Sequence, residues 1–188
     1  MKSPGVFVAI VGPSGAGKDS LIRGLSERLT ARDGVLIARR VVTLPSDAHE
    51  EHDTLDEAAF ANAEKAGRFA LSWSAHGLRY GVPVAIDCAI DEGEIVVCNI
   101  SRKAVAAVRR RYSRSRVVLV TARPEILAAR LVARGREGNE GRRERLERAG
   151  ASEAAVEPDV VVDNNALLDS AVGQLLKQIL SWRVSFSE

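Results

Sequence analysis

The chain has 188 residues, of which 46% are hydrophobic and 28% charged, and its formal net charge is +2. This length and balance predict one globular domain with a substantial core, and so small a charge gives no support for a nucleic-acid partner. The sequence shows no membrane-spanning apolar run, no secretory signal and no C-x-x-C pair. We therefore expect a cytoplasmic protein without a membrane partner, either a monomer or a homodimer.

The most informative segment follows the first apolar run, Val6–Val11, which is predicted to be a buried strand. Residues 12–18 match G-x-x-x-x-G-K, and an amphipathic helix is predicted from Ser20 to Thr30. A strand, a glycine loop and a helix in this order are typical of a phosphate cradle, because backbone N–H groups and the positive helix end converge on one anion. A glycine-rich turn without a ligand is the alternative. We predict an ATP site formed by Gly12, Pro13, Ser14, Gly15, Ala16, Gly17, Lys18, Asp19 and Ser20, with Lys18 catalytic as a point charge on the outer phosphates.

The rest of the sequence alternates between short apolar runs and amphipathic segments. Further strands are predicted at residues 35–38, 69–73, 94–98, 117–121 and 159–162. Helices are predicted from 53 or 54 to 66, and at 83–91, 103–112, 124–134 and 167–180, with a strongly charged helical segment at 136–149. This alternation predicts an α/β fold, a three-layer P-loop NTPase with a five-stranded parallel sheet.

Two segments interrupt the alternation within this single predicted domain. Residues 39–91 lie where an acceptor-binding subdomain is expected, and the arginine-rich segment 134–150 lies where a lid is expected. In the first segment, residues 41–44 are predicted to continue the second strand and residues 45–52 to form a loop. Arg79 and Tyr80 are predicted to lie in a turn between Gly77 and Gly81.

Two residues depart from the usual P-loop pattern. The residue after Lys18 is ordinarily Ser or Thr, whose hydroxyl binds Mg²⁺, but here it is Asp19. At the end of the apolar strand 95–98, where such enzymes commonly carry an Asp, the chain has the neutral Asn99. Asp19 is either a metal ligand or the sign of an altered site. We hypothesise that the anionic Mg²⁺ ligand has moved from strand to loop, with Asn99 orienting a water molecule or the acceptor.

The segment from Phe69 to Gly81 resembles the acceptor-site strand and Tyr-Gly turn of guanylate-kinase-like enzymes. The chain is more similar still to the ribose 1,5-bisphosphate phosphokinase family of phosphonate metabolism. The matching segments are residues 12–19, 69–73, 76–78, 80–82, 99–102 and 134–137. The resemblance implies a phosphotransferase that phosphorylates ribose 1,5-bisphosphate with ATP and Mg²⁺, giving 5-phosphoribosyl 1-diphosphate and ADP. A guanylate kinase, another phosphate-acceptor kinase and a non-catalytic guanylate-kinase-like domain are the alternatives.

The resemblance also implies roles for individual residues. It assigns binding of the acceptor to Arg40, Thr43, Glu50, His52, Tyr80, Asn99 and Arg102. A plain polar loop is the alternative for Glu50 and His52. In the lid it implies catalytic roles for Arg134 and Arg145 and a nucleotide-binding role for Arg136; a solvated helix face is the alternative for all three.

Three positions bear on which acceptor is bound. Leu71 and Val82 stand where guanylate kinases carry polar residues that read the base, which argues against GMP. Leu44 replaces a family Arg that binds acceptor phosphate, and Arg39 and Arg79 are the candidates to compensate.

Overall fold

The computed structural model describes residues 4–44, 52–75, 77–133 and 156–184. Five strands form one parallel sheet: β1 (Val6–Val11), β2 (Val35–Ile37), β7 (Ile95–Asn99), β8 (Ser115–Thr121) and β9 (Val160–Asp163). Their order across the sheet is β2-β7-β1-β8-β9. The five-stranded parallel sheet predicted from the sequence is thus confirmed.

Helices cover both faces of this sheet because its central strands are apolar on both sides. Every residue of β1 is buried: Phe7, Ala9 and Val11 belong to one apolar cluster, while Val6, Val8 and Ile10 belong to another. The second cluster is closed by α1 (Lys18–Ser26) and α6 (Leu168–Val184). The first is closed by α3 (Ile86–Asp91) and α4 (Val105–Arg111), and α5 (Pro124–Ala133) follows β8. The result is the predicted three-layer arrangement.

A second sheet, within the segment 39–91, has four strands: β3 (Val41–Val42), β4 (Asp53–Thr54), β5 (Phe69–Ala75) and β6 (Leu78–Pro83). Their order across the sheet is β4-β3-β6-β5, and helix α2 (Glu57–Lys65) lies between β4 and β5 in the sequence. The prediction that residues 41–44 continue β2 is therefore wrong. Ala38 makes the last backbone bond to β7, and the Arg40 carbonyl already accepts from Asp53 of β4 at 2.8 Å. Arg39 and Arg40 thus mark where the chain passes from one sheet to the other.

Three local predictions in this segment are also corrected. Helix α2 is capped by Asp56, whose carboxylate accepts from the Ala59 N–H at 2.7 Å, because residues 53–54 pair as a strand instead. Tyr80 lies inside β6, and Gly81 is there because a Cβ at that position would lie 2.6 Å from the Phe69 ring. Pro83 ends β6, where its missing N–H costs no ladder bond, rather than opening a helix.

The predicted lid, residues 134–150, lies outside the described residues. In the described part of the chain, no helix is long and apolar enough to cross a membrane.

Candidate active site

The glycine loop between β1 and α1 has the backbone geometry of a phosphate cradle. Gly12, Gly15 and Gly17 have φ values of +150°, +82° and +86°, which side-chain-bearing residues rarely adopt. A Cβ at Gly12 would also lie 2.2 Å from the carbonyl oxygen of Val120, so the loop packs directly on β8. Gly17 is the N-cap of α1, which places the positive end of the helix at the loop.

Lys18 closes over the loop. Its Nζ donates to the carbonyl oxygens of Gly12 and Pro13, both at 2.9 Å. The ammonium group therefore lies at the mouth of the cradle, next to the N–H groups that would face phosphate oxygens.

Arg130 of α5 and Asn164, which follows β9, both donate hydrogen bonds to the backbone of the glycine loop. Asn164 Nδ2 donates to the Ala16 carbonyl oxygen at 2.7 Å, and Arg130 donates to the same oxygen at 3.5 Å and to the Asn164 carbonyl oxygen at 3.0 Å. A Cβ at Gly17 would lie 2.4 Å from Asn164 Nδ2. No local sequence pattern assigns a role to Arg130 or Asn164. Only the fold shows that α5 and the end of β9 meet at Ala16.

Asp19 and Asn99, the two departures from the P-loop pattern, are in direct contact. Asn99 Nδ2 donates to Asp19 Oδ1 at 2.6 Å, and the Arg40 guanidinium lies 3.6 Å from the same oxygen. Asn99 and Arg40 are buried, while the Asp19 side chain is 23% exposed. Cys98, the neighbour of Asn99, is no candidate nucleophile, because burial raises the pKa of its thiol to about 12 against a smaller lowering by the charge of Arg40.

Asp19, Arg40 and Asn99 line a cleft of about 360 Å³ between α1 and the carboxyl end of β2. Arg39 and Arg23 line it as well. The Arg40 guanidinium lies 5.8 Å from the centre of the Tyr80 ring, and Tyr80 stacks on Trp73 with ring centres 5.4 Å apart. Of the predicted acceptor residues, the structure therefore places Arg40 and Asn99 beside Asp19, with Tyr80 next to Arg40.

The structure describes three other predicted acceptor residues, Thr43, His52 and Arg102. Thr43 Oγ1 accepts from the Arg79 N–H at 3.0 Å. His52 is buried, with Nδ1 3.3 Å from the Asp53 carbonyl oxygen. Arg102 begins a single 3₁₀ turn after β7. Glu50, Arg134, Arg136 and Arg145 lie outside the described residues.

The donor set suits Mg²⁺ in a nucleotide site. Mg²⁺ in such sites is bound through one or two carboxylates together with substrate phosphates, rather than by an all-protein cage. Asp19 supplies a partly exposed carboxylate at the start of α1, immediately after the cradle. Among the described residues no cluster of three or more His, Cys, Asp or Glu side chains could hold a metal ion.

The fold and the cradle together define a P-loop protein with a guanylate-kinase-like fold. A crystal structure of guanylate kinase from Anaplasma phagocytophilum has a TM-score of 0.76 to this chain, covering 100% of it and 89% of that chain at 17% identity. The family described as AAA domain matches residues 8–156.

Similarity in sequence narrows the class to one family. A protein from Methylobacterium radiotolerans named ribose 1,5-bisphosphate phosphokinase PhnN is 45% identical over 94% of this chain and 98% of its own length. A protein of the same name from Brucella melitensis is 41% identical over 93% and 92%. The chain belongs to the ribose 1,5-bisphosphate phosphokinase family.

Proposed function

We propose that this protein transfers the γ-phosphoryl group of ATP to the C1 phosphate of ribose 1,5-bisphosphate, with Mg²⁺, in the cytoplasm. The products are 5-phosphoribosyl 1-diphosphate and ADP. The observation that carries the proposal is 45% identity, over nearly the full length of both chains, to a protein named for this reaction. The cradle at residues 12–18 and the arginine-lined cleft beside it supply what the reaction requires.

The reaction needs positioning and charge neutralisation rather than a strong base. An anionic oxygen of the C1 phosphate forms a bond to the γ-phosphorus, and the bond from that phosphorus to the β–γ bridging oxygen breaks, with its electron pair leaving on ADP. The second pKa of a phosphate is about 6, so the acceptor is already largely deprotonated at neutral pH. Lys18 and the cradle hold the donor phosphates, and Arg40 holds the acceptor beside them.

The remaining predicted residues complete this proposal. Thr43, Glu50, His52, Tyr80, Asn99 and Arg102 contribute to the acceptor site of the subdomain at 39–91. Arg134 and Arg145 of the lid at 134–150 meet the transferring group in the closed state, with Arg136 on the nucleotide.

GMP is the acceptor that the geometry disfavours. Leu71 and Val82 pair in register between β5 and β6 and are buried in the apolar core. They present no acceptor for the N–H groups of guanine, and a polar base without its partners is rejected strongly.

A coupled assay of ADP release with a panel of phosphate acceptors tests the function. We expect ribose 1,5-bisphosphate to exceed GMP in kcat/KM by at least about 10²-fold, since unpaired polar groups are costly to bury. Comparable values for the two acceptors would contradict the assignment. Absence of binding at millimolar Mg²⁺-ATP would instead favour a non-catalytic domain.

The role of Asp19 as the Mg²⁺ ligand is part of the proposal, and an exchange variant tests it. Bound Mg²⁺ neutralises the negative charge of the donor phosphates. Asp19→Ser should weaken Mg²⁺ binding to the nucleotide complex by about 10-fold or more, because it removes the carboxylate beside the cradle. The double variant with Asn99→Asp restores a hydroxyl on the loop and a carboxylate on the strand, so it should recover part of the loss.

Mg²⁺ affinity in the presence of a non-hydrolysable ATP analogue, followed by calorimetry, is the measurement. Because Asp19 and Asn99 lie 2.6 Å apart, a shared role appears as a non-zero interaction energy in the double-mutant cycle. Additive effects with no recovery would show that the two residues do not serve one metal.

A further inference from the structure

A column of four side chains crosses the boundary between the two sheets and ends at the P-loop. Trp73 of β5 stacks on Tyr80 of β6, and the Arg40 guanidinium lies 5.8 Å from the centre of the Tyr80 ring. At the other end of the column, Asp19 Oδ1 lies 3.6 Å from the Arg40 guanidinium. The Arg40 side chain is only 9% exposed. It is therefore a largely desolvated cation between an aromatic pair of the second sheet and a carboxylate of the phosphate-binding loop.

Asp19 and a phosphate acceptor compete for this cation. An approaching anion stabilises a buried guanidinium, because little solvent is left to screen the charge. The Asp19 carboxylate lies 3.6 Å from the Arg40 guanidinium. If Asp19 binds Mg²⁺, the metal offsets its negative charge and weakens its attraction for Arg40, which favours a second anion beside the guanidinium. The phosphate of the acceptor is such an anion.

We propose that Arg40 couples the two substrate sites: it is held by Asp19 while the nucleotide site is empty and is released to the acceptor phosphate when Mg²⁺-nucleotide engages Asp19. This inference rests on the proposed function. It makes Arg40 a residue that couples the binding of the two substrates: Mg²⁺-ATP promotes acceptor binding, and by linkage the acceptor promotes Mg²⁺-nucleotide binding equally.

A purely structural ion pair predicts different behaviour. A structural pair would only stabilise the junction of the sheets, so removing the charge of Asp19 would leave acceptor affinity unchanged or reduce it. In the coupling proposal the same change removes a competitor. Asp19→Asn should therefore bind the acceptor more tightly than wild type when no nucleotide is present.

The first experiment needs no acceptor. The chain has two tryptophans, and Trp182→Phe leaves Trp73 as the only tryptophan, at the far end of the column. Addition of Mg²⁺ and a non-hydrolysable ATP analogue should change Trp73 emission as Arg40 leaves Asp19. The change should be lost in Asp19→Asn and in Arg40→Lys, with calorimetry confirming that each variant still binds the analogue. Arg23→Lys is the matched control, because it alters another arginine of the same cleft, one turn further along α1.

The second experiment measures the acceptor. Calorimetric titration of ribose 1,5-bisphosphate should show affinity that rises by about 10-fold when Mg²⁺ and the analogue are present, a typical coupling between two sites. In Asp19→Asn the affinity without nucleotide should already be several-fold above wild type, and the further rise should fall below about 2-fold. In Arg40→Lys the rise should be reduced while Arg23→Lys keeps it.

The two experiments separate the inference from the function on which it rests. If the acceptor titration gives no binding to wild type, the assignment of ribose 1,5-bisphosphate fails, and the Trp73 measurement still decides the role of Arg40. An emission change retained in Arg40→Lys, or an acceptor affinity of Asp19→Asn no higher than wild type, would overturn the coupling.

Discussion

The two ends of the parallel sheet carry clefts of nearly equal size and opposite character. At the carboxyl ends of the strands the cleft measures about 360 Å³ and is lined by Asp19, Arg40 and Asn99. At the amino ends a cleft of about 340 Å³ is lined by Asp87, Arg111 and Tyr112. Both contain arginine and aspartate, so neither volume nor residue type distinguishes a functional cleft from a structural one.

The pattern of contacts does distinguish them. At the amino end each oxygen of Asp87 has its own partner: Tyr112 donates to Oδ1 at 2.7 Å and Arg111 to Oδ2 at 2.5 Å. At the carboxyl end Asn99 and Arg40 both approach Oδ1 of Asp19, and the arginine stays at 3.6 Å. The first cluster fixes the junction of α3 and α4. We propose that the second, beside the phosphate cradle, holds its charges in an arrangement that a ligand can displace.

The largest expected effect is a difference in activity between variants of two cations, one at each end of the sheet. Lys18→Met should lower kcat by about 10²–10³-fold, because a preorganised charge on the transferring phosphoryl group is lost. Arg111→Met, at the opposite end, should leave kcat/KM unchanged and lower the free energy of unfolding by about 1 kcal/mol, the scale of a half-exposed ion pair. Steady-state kinetics and urea unfolding of both variants are the measurements. Equal kinetic losses in the two variants would remove the distinction between the ends.

A smaller effect is expected from two arginines of the second sheet. Arg39 lines the carboxyl-end cleft, whereas Arg79 lies over the Phe60 ring and pairs with Glu64 on the α2 side. We therefore expect Arg39, rather than Arg79, to replace the guanidinium that the family pattern carries at Leu44. Arg39→Ala should raise the KM for the acceptor by about 10-fold, the cost of one charge-assisted contact, with little change for ATP.

Arg79→Ala is the matched control for Arg39→Ala. It should lower the free energy of unfolding by about 1 kcal/mol through the lost stacking and ion pair, without raising the acceptor KM. A rise in acceptor KM confined to Arg79→Ala would reverse the assignment.

The parallel core was predictable from the sequence because buried parallel strands are apolar throughout. Val6–Val11 and residues 95–98 show this pattern, and G-x-x-x-x-G-K between a strand and a helix identifies the cradle. The hypothesis that Asp19 and Asn99 serve one metal requires them to be close, and they are in contact. Neighbouring parallel strands bring their carboxyl ends to one edge, which makes such proximity accessible from sequence.

The second sheet was harder to predict because its strands are short and its pairing is non-local. β3 has two residues and pairs with β4 and β6, so periodicity alone did not separate it from β2. Gly81 suggested a turn at Tyr80, but the glycine is required by the Phe69 ring that packs against it from the neighbouring strand. The pairing of Arg40 with Asp19 followed from no local pattern, since it joins the two sheets.

The smallest expected effect concerns one buried acidic group at each end of the sheet, Cys98 and Tyr112. Burial raises the pKa of the Cys98 thiol from 9.0 to about 12, and burial with the bond to Asp87 raises the pKa of the Tyr112 hydroxyl above its ordinary 10. The folded state therefore holds both protons more tightly than the unfolded state. The two groups make their full contribution to the free energy of unfolding below pH 9, and this contribution falls as the pH rises further. The slope reaches at most about 1.4 kcal/mol per pH unit for each group.

Urea unfolding from pH 8.5 to 10.5 should show Cys98→Ala flattening the fall that begins near pH 9, and Tyr112→Phe flattening only the part above pH 10. Cys88→Ala, at an exposed cysteine, is the control and should leave the profile of the wild type unchanged. A slope unaltered in Cys98→Ala would mean that the thiol beside Asn99 titrates alike in the folded and unfolded protein.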